Sequence, residues 1–101
     1  DADGSPCDIE LRIKSNTSKA MSSNVYYDKS QVDGEVFSTN LILEKNDIIN
    51  IAVWDRDALE DDVIGNTNIT ESQIIEILRA KKAIKVSFGQ VEQLEIFLEK
   101  I

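Results

Sequence analysis

The chain has 101 residues, of which 42% are hydrophobic and 30% charged, a size and composition typical of a single folded domain. Its 19 acidic and 11 basic residues give a formal net charge of −8, which argues against unassisted binding to nucleic acid or to anionic lipid. The absence of histidine excludes Ser–His and Cys–His nucleophile systems, and no apolar run approaches the ~20 residues of a membrane-spanning helix.

The first part of the chain predicts short strands separated by polar loops. Residues 1–6 are expected to form a flexible leader, followed by a single domain over residues 7–101. From Cys7 to Lys14 apolar and polar residues alternate, as they do in a strand with one buried face. The small polar residues 15–24 predict a loop, and residues 25–29 predict a second strand.

Turn signals and further alternation continue this pattern to the end of the chain. Asp33–Gly34 favours a tight reversal, and another turn is expected at residues 45–47. Thr70, with Gln73 three residues later, forms a capping-box pattern that predicts the start of a helix. The remaining predicted strands cover residues 35–43, 49–54, 63–69, 84–88 and 94–98. Seven short strands and one helix in a late connection predict an all-β, antiparallel sandwich of two sheets.

One segment concentrates side chains that could carry chemistry. In the acidic loop, residues 55–62, five of eight residues are acidic. Asp55 and Asp57 are two residues apart, so on an extended backbone they point to the same side, and Asp61 or Asp62 could fold back to face them. Carboxylates this close repel one another unless a divalent cation neutralises them, and calcium accepts 6–8 oxygen ligands. The alternative is an ordinary solvated loop tip.

An EF-hand is excluded by spacing. Counted from Asp55, the fifth, sixth and twelfth positions are Leu59, Glu60 and Asn66, where an EF-hand requires Asp or Asn, Gly and Glu. The flanking segments are also predicted strands rather than helices. A calcium site here would therefore belong to a β-rich fold.

The stretch INIAVWDRDALEDDVIG, from Ile49 to Gly65, resembles the signature of C2 domains. The resemblance implies an antiparallel sandwich of seven to eight strands that binds calcium and phospholipid through loops at one end. Asp55, Asp57 and Asp62 match the three acidic positions of the family pattern. The interval from Asp55 to Asp62 is one residue shorter than usual, so Asp61 could substitute for Asp62.

A second segment extends the resemblance, with departures. The sequence SNVY that ends at Tyr26 resembles the Ser-Asp-Pro-Tyr of the first calcium loop, with Asn24 in place of a ligand aspartate. A further acid is expected near Ser18, but residues 16–23 contain none. Asn24 could supply a neutral amide oxygen. Because affinity follows the number of charged ligands, this departure predicts weak calcium binding.

The resemblance implies a calcium-binding module that docks onto anionic or zwitterionic phospholipid membranes. Leu59 at the apex of the acidic loop and Met21 in the first loop are the expected membrane contacts. The sequence around Trp54 is most similar to that of the C-terminal C2 domain of perforin-like proteins. This similarity slightly favours a secreted location over a cytoplasmic membrane surface. We expect a monomer or a part of a larger chain, and no binding to nucleic acid.

Two other function classes compete with this interpretation. The missing first-loop acids are consistent with a calcium-independent protein-interaction module of the same fold, in which the calcium site is degenerate. An enzyme with paired carboxylates and a divalent ion is the third class. Since no separate base, nucleophile or cleft can be argued from the sequence, we expect no enzymatic activity.

Overall fold

The computed structural model describes residues 7–29, 31–32, 34, 37–56 and 60–101. Within these residues the chain forms seven strands and one helix, all strand pairs being antiparallel. The predicted all-β, antiparallel class is confirmed, whereas the predicted leader, residues 1–6, lies outside the described residues. In chain order the elements are β1 (Cys7–Ser15), β2 (Met21–Ser22), β3 (Tyr26–Lys29), β4 (Ile49–Asp55), β5 (Asp62–Ile69), α1 (Glu71–Ala80), β6 (Ile84–Phe88) and β7 (Val91–Ile96).

The described strands form two sheets. In the larger sheet β1, β4 and β5 are consecutive neighbours, and β2 and β3 both pair with β1. The smaller sheet is the hairpin β6–β7. The helix α1 connects β5 to β6, so it occupies the late connection predicted for it. This order places β4 in the middle of the larger sheet, with a partner on each side.

Alternation gives the larger sheet a core face and an outer face. On the core face Leu11 lies opposite Val53 and Ile13 opposite Ile51, and Leu11, Val53 and Ile51 are all buried. Ile74 of α1 packs against this face, and partly buried side chains of both strands of the hairpin pack against the same cluster. The outer face carries the intervening polar residues of β1 and β4. Burial of one face therefore explains the alternating sequence of both strands.

The predicted strand over residues 35–43 is wrong for its described part. Residues 37–43 have no regular secondary structure, and residues 35–36 lie outside the described part of the chain. Serine side chains make the backbone hydrogen bonds of Ile42 that a neighbouring strand would otherwise make. The Ile42 N–H donates to Ser18 Oγ at 2.7 Å, and the Ile42 carbonyl accepts from the hydroxyls of Ser15 and Ser18. Leu41 still packs against the core cluster, which accounts for the apolar pattern of this segment.

The predicted helix start is confirmed. Thr70 is the N-cap, its N–H donates to Gln73 Oε1 at 2.9 Å, and its hydroxyl accepts from the Gln73 N–H. The helix buries Ile74 and Ile77 and ends at Ala80, followed by the C-cap Lys81, which has a left-handed φ of 53°. The last predicted strand, residues 94–98, is displaced: β7 begins at Val91 and ends at Ile96, and the chain continues irregularly beyond it.

A bulge in β5 allows the hairpin to dock. Val53 lies opposite Gly65 while Trp54 lies opposite Val63, so Ile64 is the extra residue. The Ile64 carbonyl accepts from the Gln90 N–H at 3.0 Å, and a Cβ on Gly89 would lie 2.8 Å from the Gly65 Cα. Two glycines are therefore required where the β6–β7 turn crosses β5.

The effect of the Gly89 contact on stability can be distinguished from the effect of backbone strain by comparing Gly89 with Gly34. Gly89 and Gly34 both have positive φ, 53° and 79°, but a Cβ on Gly34 would meet nothing within 4 Å. We expect Gly34→Ala to lower the free energy of unfolding by about 1 kcal/mol through backbone strain. Gly89→Ala should cost about 2 kcal/mol more because of the clash with β5. Urea unfolding measures both, and equal losses would contradict the close packing.

The turn at residues 44–47 is held by a buried carboxylate. Asp47 Oδ2 accepts from the Thr17 hydroxyl at 2.6 Å and from the Glu44 N–H at 3.0 Å. These hydrogen bonds, the one from Thr17 first, lower the pKa of Asp47 below its ordinary value of 3.8. The Asn46 N–H donates to Glu71 at the start of α1, so the same turn contacts the helix.

The lowered pKa of Asp47 predicts a pH dependence of stability. Its contribution is fully present above the unfolded carboxyl pKa of about 4 and is lost as the pH falls through the lower folded value. Asp47→Asn should therefore reduce the loss of stability between about pH 5 and pH 2, measured by urea unfolding. Glu99→Gln, at an exposed position, is the control and should retain the wild-type profile. Coincident profiles for wild type and Asp47→Asn would refute the assignment.

Candidate metal centre

Strand pairing brings two of the predicted calcium ligands face to face. Asp55 ends β4, Asp62 begins β5, and the register places them directly opposite each other. Directly opposed residues of an antiparallel pair project from the same face with Cβ atoms about 5 Å apart. Asp55 is half-buried and Asp62 is exposed. Like charges so placed destabilise the pair, so this position favours a neutralising cation.

The start of β1 lies at the same end of the sheet. Ile9 is opposite Asp55, the Asp8 N–H donates to Asp55 Oδ1 at 3.0 Å, and the Arg56 N–H donates to the Asp8 carbonyl at 2.8 Å. Asp8 is thus a third acid at this edge that sequence reasoning missed. Only the register of β1 against β4 identifies it, because 47 residues separate it from Asp55.

Asp61, the predicted substitute for Asp62, is held by two arginines. Asp61 Oδ2 accepts from Arg12 Nη2 at 3.1 Å, and its Oδ1 accepts from Arg56 Nε at 3.1 Å. Glu10 closes a ring of four charges, since Oε1 accepts from Arg12 Nε at 2.6 Å and Oε2 from Arg56 Nη1 at 2.9 Å. This ion-pair ring, Glu10, Arg12, Arg56 and Asp61, has no net charge. To bind a metal, Asp61 would have to leave its arginine partners.

The ion-pair ring rests on the outer face of the larger sheet. The Arg12 guanidinium lies 4.1 Å from the centroid of the Trp54 indole, a cation–π contact, and Glu10 is directly opposite Trp54. The hydrogen bond to Glu10 and the nearby Asp61 charge raise the pKa of Arg56. Trp54 packs on one sheet face as its alternation with Val53 predicts, and that face is the outer one.

The other two described candidates lie elsewhere. Asn24 is exposed and follows Ser23, whose N–H donates to the Leu11 carbonyl at 2.9 Å on the side of β1 away from β4. Met21 lies opposite Ile13, and its sulfur accepts from the Thr39 hydroxyl at 2.9 Å. Four residues of β1, about 13 Å of strand, separate the level of Met21 from that of Asp55. The structure therefore does not bring Met21 to the Asp55–Asp62 pair, whereas Asn24 lies nearer the level of Asp55, between Ser23 and Tyr26, on the other side of β1 from β4.

Antiparallel pairing also places the beginning of the predicted first loop far from Asp55. Because β1 and β4 run in opposite directions, residues 16–20 after β1 lie at the opposite end of the sheet from Asp55. Asp57 and Leu59, the predicted third ligand and membrane contact, lie outside the described residues. Across the residues that the structure does describe, no group of three or more acidic or cysteine side chains could hold a metal ion.

The ion-pair ring should contribute measurably to stability. Breaking a buried ion pair costs 3–5 kcal/mol and breaking an exposed one 0–1 kcal/mol. The side chain of Glu10 is 7% exposed, but those of Arg12 and Arg56 are 31% and 43% exposed, which places the ring between these limits. We expect Glu10→Gln to lower the free energy of unfolding by about 2 kcal/mol.

The exposed pair Lys85–Glu95, at 3.9 Å, provides the control for this measurement. Glu95→Gln should change the free energy of unfolding by less than about 0.5 kcal/mol. Urea unfolding at low and at high salt compares the two variants. A loss for Glu10→Gln no larger than that for Glu95→Gln would mean that the ring adds nothing to the fold.

No protein-family model, curated protein or solved structure matches this chain. Among the described residues, no helix is long and apolar enough to cross a bilayer.

Proposed function

We propose that the chain is a calcium-binding, C2-type β-sandwich module that docks onto phospholipid membranes through the end of the larger sheet where β4 meets β5. The observation that carries the proposal is the register that sets Asp55 directly opposite Asp62. The antiparallel sheets, with the hairpin packed against the core face of the larger sheet, are consistent with a sandwich of this type. Asp57, two residues after Asp55, is the third acid that the resemblance assigns.

A bound calcium ion would remove an unfavourable feature of the sheet. Two carboxylates that project from opposed positions repel each other, and calcium tolerates the irregular geometry of a strand end together with backbone oxygens and water. Binding also reverses the local charge. A coordination position left open by the protein can then accept a phosphate oxygen from a lipid headgroup.

Membrane contact is proposed at Leu59, in the same connection as Asp57. An apolar side chain at the tip of a calcium-loaded loop can enter the interfacial region once the surrounding acids are neutralised. Met21, opposite Ile13 and bonded to Thr39, is not needed for this mode of docking. The proposed partner is an anionic or zwitterionic phospholipid surface in the presence of calcium.

A calcium-independent protein-interaction module is the second candidate function. Two observations favour it: the ion-pair ring neutralises Asp61 without a metal, and residues 16–20, which contain no acid, lie at the far end of the sheet. In this alternative the acidic edge, Asp55 and Asp62 where β4 meets β5, is ordinary solvated surface. Binding to a protein partner then persists in the presence of a chelator.

Calorimetric titration with calcium tests the proposed ligands. Wild type should bind, and Asp55→Asn and Asp62→Asn should each weaken binding at least about tenfold, since each removes one charged ligand. Glu76→Gln removes an equal charge from an exposed position on α1 and is the matched control. If the heat of calcium binding or the calcium-induced NMR shift changes are the same in wild type and in both aspartate variants, this site is ruled out.

Vesicle sedimentation then separates the two candidate functions. Calcium should carry the wild-type chain into the pellet with phosphatidylserine–phosphatidylcholine vesicles, and a chelator should release it. Asp62→Asn should sediment less at the same calcium concentration. Failure of wild-type protein to sediment at any calcium concentration, combined with chelator-resistant capture of a protein partner, would support the second function instead.

A further inference from the structure

The chain contains two N-glycosylation sequons, in which an asparagine is followed by any residue except proline and then by serine or threonine. One runs from Asn16 to Ser18, directly after β1, and the other from Asn68 to Thr70, across the end of β5. The other five asparagines have no serine or threonine at the second following position. An N-linked glycan needs an asparagine side chain that reaches solvent in the folded chain, which is a structural condition on each sequon.

Asn68 meets this condition on the outer face of β5. It is exposed and directly opposite Asn50, whereas the next residue, Ile69, is buried. Asn68 Oδ1 accepts from Asn50 Nδ2 at 2.9 Å, so the oxygen of the Asn68 amide is the atom directed at the neighbouring strand. A glycan attached to Asn68 Nδ2 leaves that oxygen available for the same hydrogen bond. Attachment at Asn68 is therefore compatible with the pairing of β4 and β5.

Asn16 opens onto the same surface as Asn68. It is exposed in the bend that follows β1. One open groove is lined by Lys14, Ser15, Asn16, Ile48, Asn50 and Asn68. The strand register accounts for this meeting, because Lys14 lies opposite Asn50 and Asn50 opposite Asn68 on the outer face. With strands about 4.8 Å apart, the two sequons converge within two strand spacings, on the order of 10 Å.

The sequon end of the sheet, where Asn16 and Asn68 lie, is the end remote from the acidic edge. Ile49 is opposite Ile69 at this end of β4, whereas Asp55 is opposite Asp62 at the other end. Six residues of β4, about 20 Å of strand, separate the two levels. Glycans at the sequon end would cover the outer face there and leave the acidic edge accessible.

We propose that Asn16 and Asn68 carry N-linked glycans, attached as the chain passes through the secretory pathway. The donor is an oligosaccharide linked to a lipid diphosphate. The bond between sugar C1 and the diphosphate oxygen breaks, and a bond between C1 and the asparagine Nδ2 forms. The amide loses one proton, and the lipid diphosphate leaves with the bonding electron pair, so nothing is oxidised or reduced. The proposal does not depend on calcium binding and applies to either candidate function.

Mass spectrometry of the protein from its natural source tests both sites. Trypsin releases Asn16 in the peptide 15–19 and Asn68 in the peptide 57–79. Digestion with peptide-N-glycosidase F in heavy-oxygen water converts each glycosylated asparagine to an aspartate that carries the heavy isotope. We expect the label in both peptides. Unlabelled asparagine at both positions would overturn the proposal, and a label at Asn68 alone would overturn the assignment of Asn16.

Secretion of the full chain from cultured mammalian cells, behind a cleavable signal peptide, separates the two sites. Asn16→Gln and Asn68→Gln should each lose the mass of one glycan, and the double variant should show no mass change on digestion with the glycosidase. Asn50→Gln is the matched control, because Asn50 lines the same groove but belongs to no sequon. It should keep both glycans.

Thr70 allows the second sequon to be removed without removing the helix cap. Its side chain is the N-cap of α1 and also the hydroxyl group of the sequon. Thr70→Asp keeps a favourable N-cap residue but destroys the sequon, whereas Thr70→Ser keeps both. Thr70→Asp should lose the Asn68 glycan and Thr70→Ser should retain it, which provides the test if Asn68→Gln does not fold. A glycan that persists in Thr70→Asp would overturn the assignment of Asn68.

Urea unfolding checks that the folded chain accommodates both glycans. The glycosylated chain should unfold at the same urea midpoint as unglycosylated chain made in bacteria, or at a higher one, since both asparagines are exposed. A lower midpoint for the glycosylated chain would show that the glycans disturb the strand pairing, and would contradict their placement on this surface.

Discussion

The pairing of β4 with β1 and β5 is the constraint on which the rest of the structure depends. Ile49, Ile51 and Val53 are 2%, 3% and 5% exposed, and burying each such side chain contributes about 2 kcal/mol. A slip of one residue would turn all three to the outer face. Repulsion between Asp55 and Asp62 is worth at most about 1 kcal/mol, so the core imposes the register and the opposed carboxylates follow from it.

The acidic edge combines two ways of neutralising carboxylates. Glu10 and Asp61 are paired with arginines on the outer face, which leaves the ring without net charge. Asp55 and Asp62 lie opposite each other on the other face, where Asp55 accepts the Asp8 N–H. The chain's own arginines thus neutralise Glu10 and Asp61, and the opposed pair is where the proposed calcium ion would bind.

Sequence patterns predicted the strands and the helix start that depend on residues close together in the chain. Alternation identified β1, β4 and β6, and the Thr70 capping box identified the start of α1. The strand expected over residues 35–43 failed because serines 15 and 18, distant in sequence, satisfy the backbone of Ile42. The ion-pair ring could not be predicted from the sequence for a related reason. Glu10 and Arg12 have the pattern of ordinary solvated strand residues, and the other two members of the ring lie more than 45 residues away.

The site was predictable only in part. Nearness of Asp55 to Asp62 follows from the length of the loop, but their direct opposition depends on a β-bulge at Ile64 that the sequence does not reveal. The expected meeting of Asn24 with these acids could not be judged from the sequence, because the placement of Asn24 on the other side of β1 from β4 depends on long-range strand pairing. Because strand pairing fixes the opposed carboxylates and the ion-pair ring holds Arg56 and Asp61, only the residues between Arg56 and Asp61 are free to change in sequence. Insertions or substitutions there can diversify what the edge touches while the pair of acids is inherited unchanged, since lengthening a loop adds little entropic cost.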